Sequence, residues 1–550
     1  GGLVGNYTGS STGSYVTNAS TVSGVNYVGG LVGILGSNTN ATASITNGTS
    51  AAAVTGAANG ESIGGLVGAS YGTVTNSNSS GLVTSGTNAF AVAGLIGANH
   101  GVLSNTATNT SLVVAGTGSE TLGTLLGLHS GTENGSLSTA TITLGGSLVA
   151  SPARVGLQYT DGLISTPKQL SYVKYFSKKS FSLANDIDMT GFNHTPITFY
   201  GLGSAPVGAE SVPIFDGKNY TISNLTIIPA SDKSGLFKEV SYATIQNLNL
   251  DTVSITGSRA FIGALAGQVN NSTLSNITAK DVVVTGHSRL GALVGHVLST
   301  NVANVSVTGN SSVTGSSSSV GGVFGDSGAT LVNVTSTAAV TAGSMTGGLI
   351  GNYSGGGVSD SWASGAVSGS SQVGGLVGGV WGTGTITNSY ASGAISGTSA
   401  VGGLAGDNRF ASVDSSYATG TVTGTGDQVG GLLGRGGKAV TNSYASGAVS
   451  GADYVGGLVG RFDSNGTISN SFSTGSVAGS GSSVGGLNGV SLGSVTTSYW
   501  NTDTSGVATS AGGTGFTNAE MLVDSGFVGW DFANTWYYKS DSESVCRHIP

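Results

Sequence analysis

The chain has 550 residues, of which 97 are Gly and 7 Pro; charged residues make up 8% and the formal net charge is −8. Charge at about a third of the usual quarter, with only 17 Lys and Arg, excludes a nucleic-acid binder, which needs a basic patch. The 38% of hydrophobic residues recur on a regular beat and exclude a Gly/Ser linker, no apolar run is long enough for membrane insertion, and a single Cys, Cys546, permits no internal disulfide.

From the N terminus, residues 1–150 read as the C-terminal part of a first block of repeats. The motif GGLVG or a close variant starts at 1, 29, 64, 93 and 123, and erodes through GTLLGLHSGTENGS (123–136). Opening within a motif, the chain reads as a piece of something longer. Residues 151–233 are expected to hold a capping helix and the opening coils of a second module. In STPKQLSYVKYFSKK (165–179), Ser165 or Thr166 offers an N-cap, Pro167 a first turn, and Leu170, Val173 and Phe176 an apolar side. Lys168, Lys174, Lys178 and Lys179 then form a solvated face. Residues 234–510 carry the main repeat, with motif starts at 263, 291, 321, 347, 374, 402, 430, 456 and 485, spaced by 26 to 29 residues from 321 onward. Residues 511–550, with VGWDFANTWYYK (528–539), are expected to cap the far end.

Such a period, with its slack between motifs, is the mark of stacked solenoid coils. The residues are those of strands and corners rather than helices. In VGGLVGGVWGTGTITNSYASGAISGTSA (373–400), Val373 and Leu376 sit on a first strand, with the Gly pair between them turning both inward; Ile386, Asn388 and Tyr390 face inward from a second strand, and Ile395 lies on a third. Three or four buried apolar side chains at about 1.5–3 kcal/mol each do not offset ordering a whole coil at about 1–2 kcal/mol per residue. Only stacked coils are stable. The expected fold is all-β: a β-solenoid, a right-handed parallel β-helix with three short strands per coil of about 28 residues and a capping helix near 166–179. Trp362, Tyr390, Tyr417, Tyr444, Phe472 and Tyr499 would form one inward ladder, with Asn388, Asn442 and Asn470 beside it.

The unit GGLVG…TNSYASGAVSG resembles the GLUG-motif repeat of large bacterial surface and secreted proteins, including filamentous-haemagglutinin-like adhesins and the non-catalytic part of immunoglobulin A-specific metallopeptidases. FSLANDIDMTGF (181–192), IFDGKNYTISNLTI (214–227) and SYWNTDTSGVATSAGGTGFTNAEML (498–522) resemble the opening and closing segments of such modules. The resemblance implies a location at the bacterial cell surface or in the medium. The chain departs from the metallopeptidases in having no His-Glu-x-x-His.

No catalytic constellation emerges. His287 and His296 fall in adjacent coils without further ligands, and Asp186, Asp188 and Asp216 read as turn residues rather than a Ca²⁺ site. Asn18, Asn40, Asn276, Asn304 and Asn333 are among the many Asn residues that begin N-x-Ser/Thr sequons, as so much Ser and Thr dictates. One irregular patch stands out: NRFAS (408–412), GRGGK (434–438) and GRFDSNG (460–466) place Arg409, Phe410, Arg435, Lys438 and Arg461 on neighbouring loops as candidate ligand contacts. The expected function is an extracellular adhesin segment, non-catalytic, without metal or cofactor, whose partners are host-cell or matrix glycans or proteins, or further copies of itself along the rod. A structural spacer or filament element is the alternative, and a carbohydrate-active enzyme a remote third.

Overall fold

The computed structural model describes the chain except residues 14, 17–20, 38–40, 116–119, 150–151, 154, 159–161, 178, 202–211, 464, 524–525, 533–534, 538–546 and 549–550. Cys546, Lys178, Asn18 and Asn40 therefore lie outside the described residues. The chain divides into two compact units, Gly1–Asp161 and Gly162–Pro550. Each is a parallel β-solenoid.

In the first unit each strand pairs in parallel with its equivalent one coil later: Val4–Tyr7 with Val32–Leu35, then Val67–Ser70, Ile96–Asn99, Leu126–His129 and Val155–Gln158. A complete coil holds five short paired segments, as in Glu61–Gly64, Val67–Ser70, Thr73–Thr75, Asn78–Ser79 and Val83–Ser85. The expected three strands per coil are thus subdivided by corners. Two apolar columns fill the interior, one built on Leu31, Leu66, Leu95 and Leu125 and the other on Val28, Ile63 and Val92.

The second unit opens with Pro167–Ser171, a helix whose N-cap Thr166 accepts the Gln169 N–H, continued by a 3-10 turn over Tyr172–Phe176. Leu170, Val173 and Phe176 are buried. The turn packs against Ile197–Tyr200, above a cluster of Phe181, Phe199, Phe215 and Phe237 whose ring centroids lie 5.3–6.4 Å apart. From there the motif strands stack in order from Ile197–Tyr200 to Asn488–Ser491. Corners soften in the middle of this unit, where Thr244–Thr256, Thr273–Gly286 and Val294–Thr308 run as long bent strands.

Glycine at the motif is a matter of close approach. A Cβ on Gly375 would lie 2.1 Å from the Gly403 carbonyl oxygen and 2.7 Å from Ala391 Cβ, so a side chain there would push adjacent coils apart. Val373 and Leu376, on either side of the Gly pair, are both buried.

The second strand departs from the sequence expectation. Asn388 has φ of 47°, a left-handed corner that Asn tolerates better than most residues, and this corner flips the parity of the residues after it. Ile386, Ser389 and Ala391 point inward, Asn388 is exposed, and Tyr390 is half-buried on the outer surface. The aromatic ladder is therefore external over Trp362, Tyr390, Tyr417 and Tyr444. Its rings stack at 4.8 Å with interplanar angles of 2° and 5° across the three tyrosines. Phe472 and Tyr499 are buried because Met521, Phe527, Trp530 and Trp536 of the C-terminal segment close over them.

The inward position is instead a serine ladder. In each coil the hydroxyl of Ser389, Ser416, Ser443 or Ser471 donates to the carbonyl two residues back and accepts the N–H of its equivalent in the preceding coil, at 3.2 Å for each coil-to-coil step. Every one of these four buried hydroxyls is thereby satisfied.

Candidate functional site

One column of the second unit is polar or charged in nearly every coil. The residue that follows the motif, aligned by strand register, reads Glu239, Gln268, His296, Asp326, Asn352, Gly379, Asp407, Arg435 and Arg461. A second column of left-handed residues just before the motif includes Lys233, Phe261, Arg289, Met345 and Gln372. Side chains from the two columns meet along one face and make a polar stripe.

The stripe is held by ion pairs. Lys233 Nζ lies 2.9 Å from Glu239 Oε2. Asp326 Oδ2 faces Arg289 Nε at 3.5 Å and His296 Nδ1 at 3.3 Å, while its Oδ1 accepts Asn352 Nδ2 at 3.2 Å. The guanidinium of Arg289 also covers the Phe261 ring, 4.9 Å from its centroid. Asp407, almost fully buried, binds Arg409 through two contacts of 2.9 and 3.1 Å and accepts Gln372 Nε2 at 3.3 Å. Arg435 and Arg461 are register partners, a like-charge juxtaposition offset by Asp463, which lies 2.9 Å from Arg435 Nη2 and 3.2 Å from Arg461 Nε.

Of the five candidate contacts, Arg409, Arg435 and Arg461 thus lie at the C-terminal end of this stripe, Arg409 paired with Asp407 and the other two sharing Asp463. Arg409 also stacks, with its guanidinium carbon 5.2 Å from the Trp381 ring centroid and 5.5 Å from that of Phe410. Trp381 and Phe410 are 45% and 37% exposed and 6.2 Å apart, so they form an open aromatic corner. Lys438 is exposed and makes no ion pair with the described residues. Sequence reasoning missed Trp381, whose signal was present as the lone aromatic in GGVWGTG (378–384), and missed the stripe, whose signal was the residue after each GGLVG.

The outward tyrosine ladder is no sugar platform of the usual kind. Parallel rings at 4.8 Å cover one another's faces and present edges to solvent, whereas stacking a sugar needs a free face. The remaining candidates are structural. His287 Nδ1 meets Ser316 Oγ at 3.0 Å, away from the His296 pair with Asp326. Asp186 accepts the Thr221 N–H, and Asp188 accepts Asn224 Nδ2, the Thr190 hydroxyl and the Thr190 N–H, which hold its carboxyl below the usual carboxylate range. For Asp216, burial pushes upward but is outweighed by the Lys218 N–H, Gln246, Asn247 and the Lys218 side chain, so its carboxyl is lowered as well. No group of three or more His, Cys, Asp and Glu arranged for a metal ion exists among the described residues, and no helix among them is long and apolar enough to cross a membrane. Exposed Asn276, Asn304 and Asn333 form an amide ladder that starts from the half-buried Asn247, the Nδ2 of each of the three donating to the Oδ1 one coil earlier at 2.9–3.0 Å, which employs three of the sequon nitrogens.

Residues 369–396 and 397–423 match the GLUG motif. The repeat class read from the sequence is therefore present in two successive coils, those carrying Trp381, Asp407 and Arg409. Residues 213–286, the opening coils of the second unit, match the family described as the M26 IgA1-specific metallo-endopeptidase N-terminal region. An immunoglobulin A1 protease of Streptococcus sanguinis is 38% identical over 113 residues, which is 20% of this chain and 6% of that protein. Halomucin of Haloquadratum walsbyi is 42% identical over 82 residues, 14% of this chain and 1% of that protein. Among solved structures, an IgA1 protease is similar with 17% identity and a TM-score of 0.34, covering 61% of this chain and 23% of that one. The chain spans a small fraction of the curated relatives it matches.

Proposed function

We propose that this chain is a non-catalytic segment of a bacterial surface or secreted protein, and that its solenoid mediates or presents attachment to a host glycan or protein. The supporting observation is the aromatic corner of Trp381 and Phe410 with Arg409 stacked upon it. Exposed large aromatics beside a guanidinium fixed by a buried carboxylate make a preorganised contact surface, the composition that binding hot spots favour. The curated relatives, named as immunoglobulin A1 proteases and a halomucin, fit an extracellular setting. The likeness to the proteases lies in their N-terminal region, and the sequence lacks their His-Glu-x-x-His motif.

A structural spacer is the second reading. It is favoured by the ion pairs of Arg409 with Asp407 and of Arg435 and Arg461 with Asp463, which already engage the three guanidinium groups that a ligand would contact. The two readings separate on an array of glycans and matrix proteins probed with the chain, with Trp381→Ala/Phe410→Ala, and with Arg409, Arg435, Lys438 and Arg461 all changed to Ser. Binding lost in the aromatic variant supports attachment at this corner. No binding by the intact chain favours the spacer, and turnover of a polysaccharide overturns the non-catalytic reading.

A further inference from the structure

A second surface lies far along the stripe from the aromatic corner. Two adjoining cavities of about 620 and 590 Å³ lie beside the first coils of the second unit and share Thr198, Ser231, Lys233 and Lys238, each within the usual size of a small-ligand site. Together they form an open trough. Glu239 organises one wall: it binds Lys233 Nζ at 2.9 Å, accepts Asn270 Nδ2 at 3.4 Å and lies beside Tyr200. Asp232 is engaged by the Ala260 N–H at 3.0 Å.

Lys238 and Arg259 remain. Both line the trough, both are exposed, and neither makes an ion pair with the described residues, in contrast to Arg289, Arg409, Arg435 and Arg461 on the stripe, each of which faces an Asp. Three cations here meet two carboxylates in a chain whose net charge is −8. Beside them stand an exposed aromatic ring, Tyr200 at 39%, and an exposed aliphatic one residue before Pro229, Ile228 at 81%. Hydroxyls of Thr198 and Ser231 lie between.

We infer that this trough binds an anionic saccharide, with Lys238 and Arg259 taking its carboxylate or sulfate and Tyr200 with Ile228 taking the apolar face of a ring. Only a ligand that is both charged and amphipathic uses all of these groups: a bare inorganic anion leaves the Tyr200 and Ile228 surface uncovered, and a neutral sugar leaves two cations unpaired. Arg offers a forked donor for the planar anion and Lys a mobile point charge. The trough shares no residue with the 381–461 corner, so this inference does not depend on the attachment reading above.

The test is calorimetric titration of the full chain with three tetrasaccharides: an oligogalacturonate, a heparin-derived fragment and neutral maltotetraose. The expected result is saturable binding of at least one anionic probe with Kd below about 1 mM and at least about tenfold preference over the neutral one. The uronate and sulfated arms tell carboxylate from sulfate recognition. Lys238→Ala/Arg259→Ala should weaken binding about tenfold or more and Tyr200→Ala should weaken it as well, while the Arg409, Arg435, Lys438, Arg461 quadruple Ser variant should bind as the parent does. Equal binding of the neutral probe, an unaffected Lys238/Arg259 variant, or no saturable heat from any probe overturns the inference. Loss in the quadruple variant alone moves the site to the aromatic corner.

Discussion

The two units fold by the same rule, and one column sets their surfaces apart. In the first, the residue after the motif is Asn6 in the opening coil and then Ile34, Ala69, Ala98 and Leu128, apolar from the second coil on, with Leu128 completely buried. In the second, the same register holds Glu239, His296, Asp326, Asp407, Arg435 and Arg461. The corner beyond it diverges in parallel: Tyr71 stacks on His100 at 4.8 Å in the first unit, and Arg409 lies against Trp381 in the second. Leu31, Leu66, Leu95 and Leu125 of the first unit recur as Leu349, Leu376, Leu404 and Leu432 of the second, all buried. A solenoid can therefore change its surface chemistry one coil at a time without altering its core.

Exchanging that column between units gives the largest expected effect. Leu128→Asp buries a carboxylate without a cation and should cost about 3–5 kcal/mol, read as a lower denaturant midpoint confined to the first unit by hydrogen exchange. Asp407→Leu removes only one partner of the solvent-touched Arg409 and should cost about 1–2 kcal/mol. Equal costs would erase the distinction between the columns.

The aromatic ladder of the second unit is the next test. Tyr417→Asp should cost about 1–2 kcal/mol, the loss of two stacked neighbours, because the ring is half-buried and the new carboxylate reaches water; Tyr417→Phe should be nearly neutral. Thermal unfolding that collapses by far more would put the ring inside.

A pH titration reads a buried histidine of the second unit. Burial, the largest cause, holds the His194 imidazole below its usual value; the Leu236 carbonyl opposes this and Lys174 adds to it. The unfolded chain gains a proton below about pH 6.5 that the folded coil resists, so stability present above that pH is lost as pH falls. The thermal midpoint of the second unit should drop between pH 7 and 5, and His194→Gln should flatten that slope. The smallest effect is expected of Asn304→Ala, which interrupts an exposed amide ladder and should cost about 0.5–1 kcal/mol in the second unit.

The period, the inward Val and Leu of the motif and the helical cap from Thr166 were legible because each repeats or carries a local signal that no other structure shares. Side-chain direction on the second strand was not. Alternation places Asn388 and Tyr390 on the side of Ile386, and only the left-handed φ of Asn388, a property of the corner rather than of the letter, reverses this. The candidate arginines were visible as irregularities in a plain sequence, but their pairing was not, since it depends on how Asp407 and Asp463 are aimed, the latter reaching Arg435 across a coil boundary. The trough at Tyr200 escaped for the same reason: Tyr200, Lys238 and Arg259 come from three successive coils.

The stacking interval has a mechanical consequence. Successive tyrosines stand 4.8 Å apart along the stack, yet equivalent positions such as Ser389 and Ser416 are separated by 27 residues of chain, which pulled straight would span about 90 Å. A coil peeled away under load therefore lengthens the tether about twentyfold, and because each coil is closed by its own ladder of hydrogen bonds, force is met by one rung at a time. A protein built this way would yield to a sudden pull by releasing slack from an end while the rest of the stack keeps its shape.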